Sequence, residues 1–334
     1  MVVIQSYLVA VMMCIVTMLC WGSWANTQKL ATKQWKFQLF YWDYSIGVLL
    51  LSLVIAFTMG SFGDSGRSFM ADVAQASAQC LMLAVLGGII FNLANILLVA
   101  AIDIAGMAVA FPIGIGLALV IGVVVNYIAA PLGSAATIFA GVGCIAVAIV
   151  LDAIAYKRLG GGKAANTTKG IILSILCGIT MGVFYRFVAA SMSTNFVELE
   201  AGKLGPYSAV VFFSLGLFLS NFIFNTMVMI KPFSGDAVKP TDYFTKGNMR
   251  LHLVGILGGA IWCLGMSLSI IASGQAGIAI SYGLGQGATM VAALWGVFIW
   301  KEFKSAPAGT NKLLALMFAL YAIGLGLIIT ARLV

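Results

Sequence analysis

One segment of this chain occurs twice, and this duplication constrains the fold more than any other feature. Residues 86–120 align with residues 257–291 without a gap, at an offset of 171, and thirteen aligned residues are identical. Five of the identical pairs are glycines, which argues against chance similarity between apolar segments. Each copy is long enough for two membrane helices. The duplication predicts a helical membrane protein of two repeats, typical of secondary transporters, whose substrate sits at the repeat interface near mid-membrane.

Composition indicates that most of the surface faces lipid. Charged residues make up 8% of the 334-residue chain and apolar residues 62%, with a mean hydropathy of +1.08. A water-soluble fold carries about 25% charged residues. The net charge of +8 comes from basic residues scattered singly in short loops, which suits anionic headgroups and does not indicate nucleic acid as a partner.

The sequence predicts no metal, no cofactor and no enzyme activity. The six cysteines all fall inside apolar runs without metal-ligand spacing, so we expect small buried hydrophobic residues. His252 is the only histidine, which argues against a zinc site or a Ser-His-Asp triad. The glycine-rich stretch 160–163 lacks the residues that a phosphate-binding loop needs.

Ten spans are predicted from the length of about 20 residues that a helix needs to cross a bilayer. They cover residues 4–26, 37–59, 77–101, 105–128, 133–155, 169–190, 206–230, 250–272, 276–300 and 311–332. The chain then divides into a first five-helix repeat (1–157), a cytoplasmic linker (158–168) and a second five-helix repeat (169–334). Because each repeat has an odd number of helices, the second enters from the opposite side. The predicted fold is an all-α integral membrane protein with ten transmembrane helices as 5+5 inverted repeats.

Basic residues predict the orientation. The loops after odd-numbered spans hold 14 lysines and arginines, whereas the other loops and the C-terminus hold three. The positive-inside rule places the odd loops in the cytoplasm and both termini outside. The first apolar run reads as a retained span rather than a signal peptide. We expect a multi-pass protein of the cell (inner) membrane, as a monomer or homodimer.

Asp43, near the start of the second span, is the most informative polar residue. It lies about two turns into the span and has no cation adjacent in sequence. Burial disfavours a charged carboxylate, so such a residue suits proton coupling. The alternative is a structural role, with a loop lysine or a backbone group as partner.

The first and third spans carry candidates for substrate contact. Trp24 and Asn26, at the end of the first span, are candidates for the inner mouth of the pathway, or else for an interfacial belt and a helix cap. Asn92 and Asn95 are three residues apart and therefore share one helix face. They line the pathway or form an interhelical hydrogen bond.

The fourth and ninth spans are predicted to be interrupted at matching positions. Pro112 removes a backbone hydrogen bond, and the repeated glycines permit close packing or unwinding. Interrupted segments at matching positions point to a transporter site, although glycine packing alone is the competing interpretation. Tyr282 and Gln286 lie four apart on one face, where a phenol and an amide suit a neutral polyhydroxylated or amide-rich solute.

Two further charged residues lie near span ends. Arg186 is a candidate outer-gate residue, or it extends to the interface by snorkelling. Asp152, close to the end of the fifth span, is expected to be solvated.

The layout and two motifs resemble a known superfamily. Ten short helices in about 330 residues resemble the drug/metabolite transporter superfamily. The stretch Gly22-Ser23-Trp24 and the motif at 41–46 (Tyr-x-Asp-Tyr-Ser-Ile) resemble the plant ureide permeases, and the whole layout is similar to the glucose/ribose-porter and rhamnose–proton symporter branches. Ureide permeases have a long central cytosolic loop with a phosphate-loop-like motif, and this chain has neither.

The resemblance implies proton-driven uptake of a neutral sugar, ureide or nucleobase-like solute by alternating access. Two alternatives stay open: an exporter of drugs or metabolites from the same superfamily, and a channel-like or scaffold membrane protein. Asp43 favours a coupled transporter over a channel.

Overall fold

The computed structural model describes residues 1–31, 35–159, 167–233 and 235–334, and helices account for 77% of these described residues. Ten helices are long and apolar enough to cross a membrane, which confirms the predicted all-α, ten-span fold. They are α1 (Tyr7–Ala31), α2 (Phe37–Phe57), α3 (Ala78–Ile102), α4 (Phe111–Ala129), α5 (Ala135–Arg158), α6 (Thr168–Ser191), α7 (Pro206–Ile230), α8 (Met249–Ala276), α9 (Ile278–Ile299) and α10 (Thr310–Thr330). Most of the predicted linker 158–168 lies outside the described residues.

Short helical segments occupy three of the connections. Phe69–Gln75 lies between α2 and α3, and Asp242–Thr245 lies between α7 and α8. The helical geometry of α3 itself continues to Ala105, and a single turn, Met107–Ala110, leads into α4. Within the described ranges the only β-type pairing is an isolated bridge, so the connections carry no sheet.

Three of the spanning helices are interrupted. α1 breaks at Trp24, between the segments Tyr7–Ser23 and Ala25–Ala31. α4 begins with the π-helical turn Phe111–Ile115, which contains a proline that cannot donate a backbone hydrogen bond. α9 breaks at residues 286–287, and its last turn, Trp295–Ile299, is π-helical. The interruptions expected in the fourth and ninth spans are therefore present.

The chain packs as two compact units, and each unit takes helices from both halves of the sequence. The first unit comprises Met1–Asn92 and Phe184–Gln275, which contain α1, α2, α7, nearly all of α8, the start of α3 and the end of α6. The second comprises Leu93–Val183 and Ala276–Val334, which contain α4, α5, α9, α10 and the remaining parts of α3 and α6. The predicted repeat boundaries describe sequence symmetry and stay a prediction.

In the first unit, two glycines bring the backbones of α2 and α8 into contact. A Cβ placed on Gly47 of α2 would lie 2.1 Å from the carbonyl oxygen of Ile256. A Cβ placed on Gly259 of α8 would lie 1.9 Å from the carbonyl oxygen of Tyr44. Only glycine fits at such distances, so these two positions set the separation of the helices.

The same geometry recurs in the first unit between α7 and α3. A Cβ on Gly216 would lie 2.1 Å from the carbonyl oxygen of Val85, and one on Gly88 would lie 1.9 Å from that of Phe213. Adding the repeat offset of 171 to the two α3 residue numbers gives the two α8 residues of the first contact. Adding 169 to the two α2 residue numbers gives the two α7 residues. The duplicated sequence thus makes the same helix contact twice.

Equivalent residues also contact each other directly. Phe91 and Trp262 are equivalent at the repeat offset, and the centroids of their rings lie 4.4 Å apart in the first unit. In the second unit a Cβ on Gly141 of α5 would lie 2.7 Å from the carbonyl oxygen of Gly324 of α10, and the reverse distance is also 2.7 Å. Reciprocal contacts of this kind are typical of elements related by a two-fold axis.

The turns that close both hairpins use the same backbone conformation. Gly106, before α4, has φ +80°, and its equivalent Gly277, before α9, has φ +88°. Side chains rarely adopt this left-handed region, which explains why both copies carry glycine there.

Candidate functional site

Asp43 is the centre of a polar cluster in the first unit. His252 Nδ1 of α8 lies 2.9 Å from Asp43 Oδ1 and 3.1 Å from Oδ2. Trp35 Nε1 donates to Oδ2 at 3.3 Å, and the Tyr243 hydroxyl donates to Oδ1. Asp43 is 1% exposed, whereas the His252 side chain is 25% exposed. We call these four residues the Asp43 cluster.

Helix packing positions the carboxylate. Gly255 lies three residues after His252 on α8, and a Cβ placed on it would lie 2.4 Å from the Cβ of Asp43. The absence of a side chain at Gly255 therefore lets α2 approach α8 closely enough for the Asp43–His252 hydrogen bond.

Aromatic rings from two connections enclose the imidazole. Trp35, just before α2, meets the His252 ring edge-on at 5.2 Å, and Tyr243, from the connection between α7 and α8, lies 4.7 Å from it. Trp35 is completely buried. The cluster thus combines groups from two helices and two connections, and it shields the carboxylate from water.

The donors around Asp43 satisfy both carboxylate oxygens, and His252 can supply the balancing charge when it is protonated. Burial, followed by the hydrogen bond to Asp43 and the charge of that carboxylate, raises the pKa of the Tyr243 phenol. Tyr243 therefore stays protonated at neutral pH and acts as a fixed donor. The carboxylate and the imidazole are then the two groups of the cluster that can share one proton.

Sequence reasoning did not identify the partner of Asp43. It considered a loop lysine or a backbone group, whereas the structure places His252 there, 209 residues along the chain. In the sequence alone, His252 argues only against zinc and triad chemistry. Two features of the sequence could have linked His252 to Asp43. His252 is the only histidine of the chain and lies at the start of a span, and Asp43 is the only carboxylate early in the second span.

Trp24 and Asn26 lie where α1 is interrupted. Trp24 packs on Tyr44 with ring centroids 4.9 Å apart. Asn26 Nδ2 donates to the carbonyl oxygen of Ser23 at 2.9 Å, and the helix resumes and continues to Ala31. Asn26 therefore bonds back to the preceding turn within α1, and the predicted end of this span at residue 26 was too early.

Asn92 and Asn95 fall in different units. Asn92 is completely buried, and its Nδ2 donates to Ser220 Oγ of α7 at 2.9 Å. Its Oδ1 is buried and has no partner among the described residues. The amide thus makes an interhelical bond through one atom and leaves the other for a further ligand. Asn95 is 3% exposed in the second unit, and Arg186 is partly exposed near the end of α6 in the first.

Tyr282 joins three helices of the second unit. Its hydroxyl donates to the carbonyl oxygens of Ala118 on α4, at 3.0 Å, and Met181 on α6, at 3.1 Å. A Cβ on Gly122 would lie 2.2 Å from the Tyr282 ring, so glycine makes the space for this ring. The phenol is completely buried and holds α9 against α4 and α6.

Gln286 and Pro112 mark the interruptions in the second unit. Gln286 is 8% exposed at the break of α9, where its carbonyl oxygen accepts a 2.9 Å bond from Thr289 Oγ1. Pro112 is partly exposed within the π-helical turn of α4. Both residues lie where the backbone departs from regular α-geometry.

The expectation that Asp152 is solvated was wrong. Asp152 is 3% exposed, and its Oδ1 has no hydrogen-bond partner within the part of the chain that the structure describes. The reason is the length of α5, which continues to Arg158, three residues past the predicted end. Asp152 therefore lies inside the span.

Comparison with known proteins identifies relatives along the whole chain. The family model described as Ureide permease matches residues 40–159 and 155–331. Ureide permease 4 of Arabidopsis thaliana is 23% identical over 401 residues, covering 99% of each chain. The glucose uptake protein GlcU of Bacillus subtilis (strain 168) is 26% identical over 297 residues, covering 86% of this chain and 84% of its own.

A solved crystal structure shares the fold. It is 16% identical in sequence and superposes with a TM-score of 0.59 over 95% of both chains. Ten apolar helices and a family match over most of the chain make this a multi-pass membrane permease, and permeases are transporters rather than enzymes. The chain belongs to the ureide permease family.

Proposed function

We propose that this permease imports a small neutral polar solute, such as a sugar, ureide or nucleobase-like compound, by proton-coupled alternating access in the cell membrane. The observation that carries the proposal is the Asp43 cluster, in which a buried carboxylate meets the only histidine of the chain at 2.9 Å. An intramembrane acid beside a histidine is the kind of group that binds and releases a coupling proton.

The relatives support the class of substrate. Two of them carry names that refer to ureides and glucose, which are small, neutral and rich in hydrogen-bonding groups. Asn92 fits such a solute, because its buried Oδ1 needs a donor that the described residues do not supply. Trp24, Asn26, Asn95, Pro112, Tyr282 and Gln286 are the other proposed contacts, and Arg186 is the proposed outer gate.

The coupling follows from two charge states of the Asp43 cluster. When the cluster holds an extra proton, the carboxylate and the imidazole neutralise each other as an ion pair. When that proton leaves, a net negative charge stays beside a partly exposed ring. A charge in a low-dielectric site costs several kcal/mol. The two charge states therefore favour different conformations of the carrier, one open to the cytoplasm and one open to the outside.

The repeats are inverted, with a pseudo-two-fold axis in the membrane plane and both termini extracytoplasmic. The matched glycine contacts of α2–α8 and α7–α3 and the direct Phe91–Trp262 contact support this relation. The loop charges support the orientation. The connection between α7 and α8, which carries Tyr243, is one of the loops rich in lysine and arginine that the positive-inside rule places in the cytoplasm. The protein acts as a monomer or homodimer.

Reconstituted protein tests the proposal. Sugars, nucleosides and ureides are first screened for thermal stabilisation of purified protein, because a ligand of the native state raises stability. Accumulation of the stabilising solute in proteoliposomes is then measured after a pH step. We expect Asp43→Asn to abolish accumulation and to retain binding or exchange. Asp64→Asn, which makes the same change at an exposed carboxylate outside the cluster, is the matched control and should still accumulate solute.

Two results contradict the proposal. If Asp43→Asn still concentrates solute in response to the pH step, Asp43 is structural and the coupling ion binds elsewhere. If the wild type transports solute only from the cytoplasmic side of the protein to the external side, the protein is an exporter.

A further inference from the structure

A second buried acid, far from Asp43 in the sequence, is not used by the proposed mechanism. Asp152 lies inside α5 of the second unit, is 3% exposed and has an Oδ1 without a partner among the described residues. A buried polar group of this kind calls for a ligand, because leaving it unpaired is unfavourable. The question is which ligand the surroundings allow.

The neighbours of Asp152 are acids and phenols. Tyr156 lies one turn further along α5, and its hydroxyl donates to Glu302 Oε2 at 3.1 Å. Gly296 of α9 leaves the space for this pair, since a Cβ there would lie 2.8 Å from the Tyr156 hydroxyl and 3.0 Å from Glu302 Oε2. Tyr321 of α10 is completely buried within electrostatic range of Asp152.

No ion pair compensates the Asp152 carboxylate within the described ranges. The basic residues at this end of α5, Lys157 and Arg158, are exposed and lie beyond Tyr156. The described residues contain no group of three metal-ligating side chains. An uncompensated buried charge is strongly unfavourable, so the ligand of Asp152 has to remove that charge, and a proton is the ligand that the site can accept.

Glu302 is the partly exposed acid of this group. It follows the last turn of α9 and is only partly buried, while the Tyr156 hydroxyl and the backbone bond from Glu302 N to the Gly296 carbonyl, at 2.9 Å, hold it in place. Because Glu302 is a partly exposed acid bonded to Tyr156, one turn along α5 from Asp152, it is the group through which a proton would reach Asp152. Protonation makes Asp152 a neutral carboxylic acid, while Tyr156 keeps its own proton and acts as a positioning residue.

We propose that Asp152 is a second, exchangeable proton-binding site of this permease, with Glu302 as its connection to water and Tyr156 as the group that holds Glu302 in place. The site stands on the geometry of the second unit alone. It does not depend on whether the Asp43 cluster couples transport.

Infrared difference spectroscopy on the full-length protein in lipid nanodiscs tests the site. After a pH jump, the carbonyl stretch of a protonated carboxylic acid reports each acid that changes its protonation state. We expect one such band to disappear in Asp152→Asn and to stay in Asp43→Asn. Glu302→Gln should keep the band and slow its appearance, and Tyr156→Phe should shift its frequency or its titration midpoint.

The outcomes separate this site from the proposed function. If Asp152→Asn and the wild type show the same bands at every pH, or if the Asp152 band never titrates, the exchangeable site does not exist. If the Asp152 band titrates while Asp43→Asn still accumulates solute, only the role of Asp43 falls. Should Asp152→Asn fail to fold, Asp152→Glu serves instead, since a longer acid at this position must move the band if Asp152 is its source.

Discussion

Gly255→Ala tests whether helix packing positions the Asp43 cluster, the proposed proton site. The added methyl carbon would lie 2.4 Å from the Cβ of Asp43, whereas carbon atoms normally keep about 3.5–4.0 Å. Because the Cβ of Asp43 is fixed to the backbone, α2 and α8 must separate by roughly 1 Å or more. The Asp43–His252 contact of 2.9 Å then stretches to about 4 Å, beyond the limit of a hydrogen bond.

The functional effect follows from that separation. A hydrogen bond to a charged group contributes about 1.5–3 kcal/mol, and 1.4 kcal/mol corresponds to about a factor of ten. We therefore expect pH-driven accumulation in proteoliposomes to fall by about tenfold or more, with solute binding retained. The variant should fold, because the equivalent position in α3 is Ala84, a buried alanine in the matching interface.

The matched control is Gly326→Ala on α10, which we call the exposed-glycine control. A Cβ there meets no atom within 4 Å, so the substitution should leave transport unchanged and stabilise the helix by up to about 1 kcal/mol. Wild-type accumulation by folded Gly255→Ala protein would refute the reasoning, since it would show that the carboxylate does not need this close approach.

Three further outcomes follow from the repeat, the buried amide and the loop charges. Gly88→Ala and Gly259→Ala should lower thermal stability by similar amounts, about 1–3 kcal/mol each, relative to the exposed-glycine control; strongly unequal losses would contradict the matched packing. Asn92→Ala should weaken solute binding by about 1–3 kcal/mol in a titration, and unchanged affinity would assign this residue to the interhelical bond alone. A single cysteine at Ser65 should react with an impermeant reagent from outside, and one at Pro240 only after permeabilisation; the reverse pattern would overturn the orientation.

Ten spans could be predicted from the sequence because hydrophobic length is a local property. The ends were less predictable, since they depend on side chains that bond to their own helix. Asn26 reads as a cap in the sequence, yet its amide donates to the carbonyl oxygen of Ser23 and the helix resumes. Asp152 shows the same uncertainty in the helix end. α5 continues three residues beyond its predicted end, so Asp152 lies in the interior of the span and not at a solvated end.

Asp43 could be identified from the sequence, and its partners could not. A carboxylate inside an apolar run is costly wherever it lies, so its position alone marks it. Its donors come from residues 8, 200 and 209 positions away. Such contacts depend on how α2 packs against α8, and no local pattern in the sequence encodes that packing.

The duplication explains the packing of the Asp43 cluster but not its chemistry. Both copies use paired glycines to bring two helices into backbone contact, at the same distances. Only α2–α8 carries the carboxylate–imidazole pair: the positions equivalent to Asp43 and His252 are Phe212 in α7 and Leu81 in α3, both apolar. A symmetric scaffold therefore holds the proposed proton site asymmetrically. In the proposed alternating-access cycle the repeats exchange conformations, so a proton-binding pair present in one copy alone opens first to one side of the membrane and then to the other, and the pH gradient sets the direction of net transport.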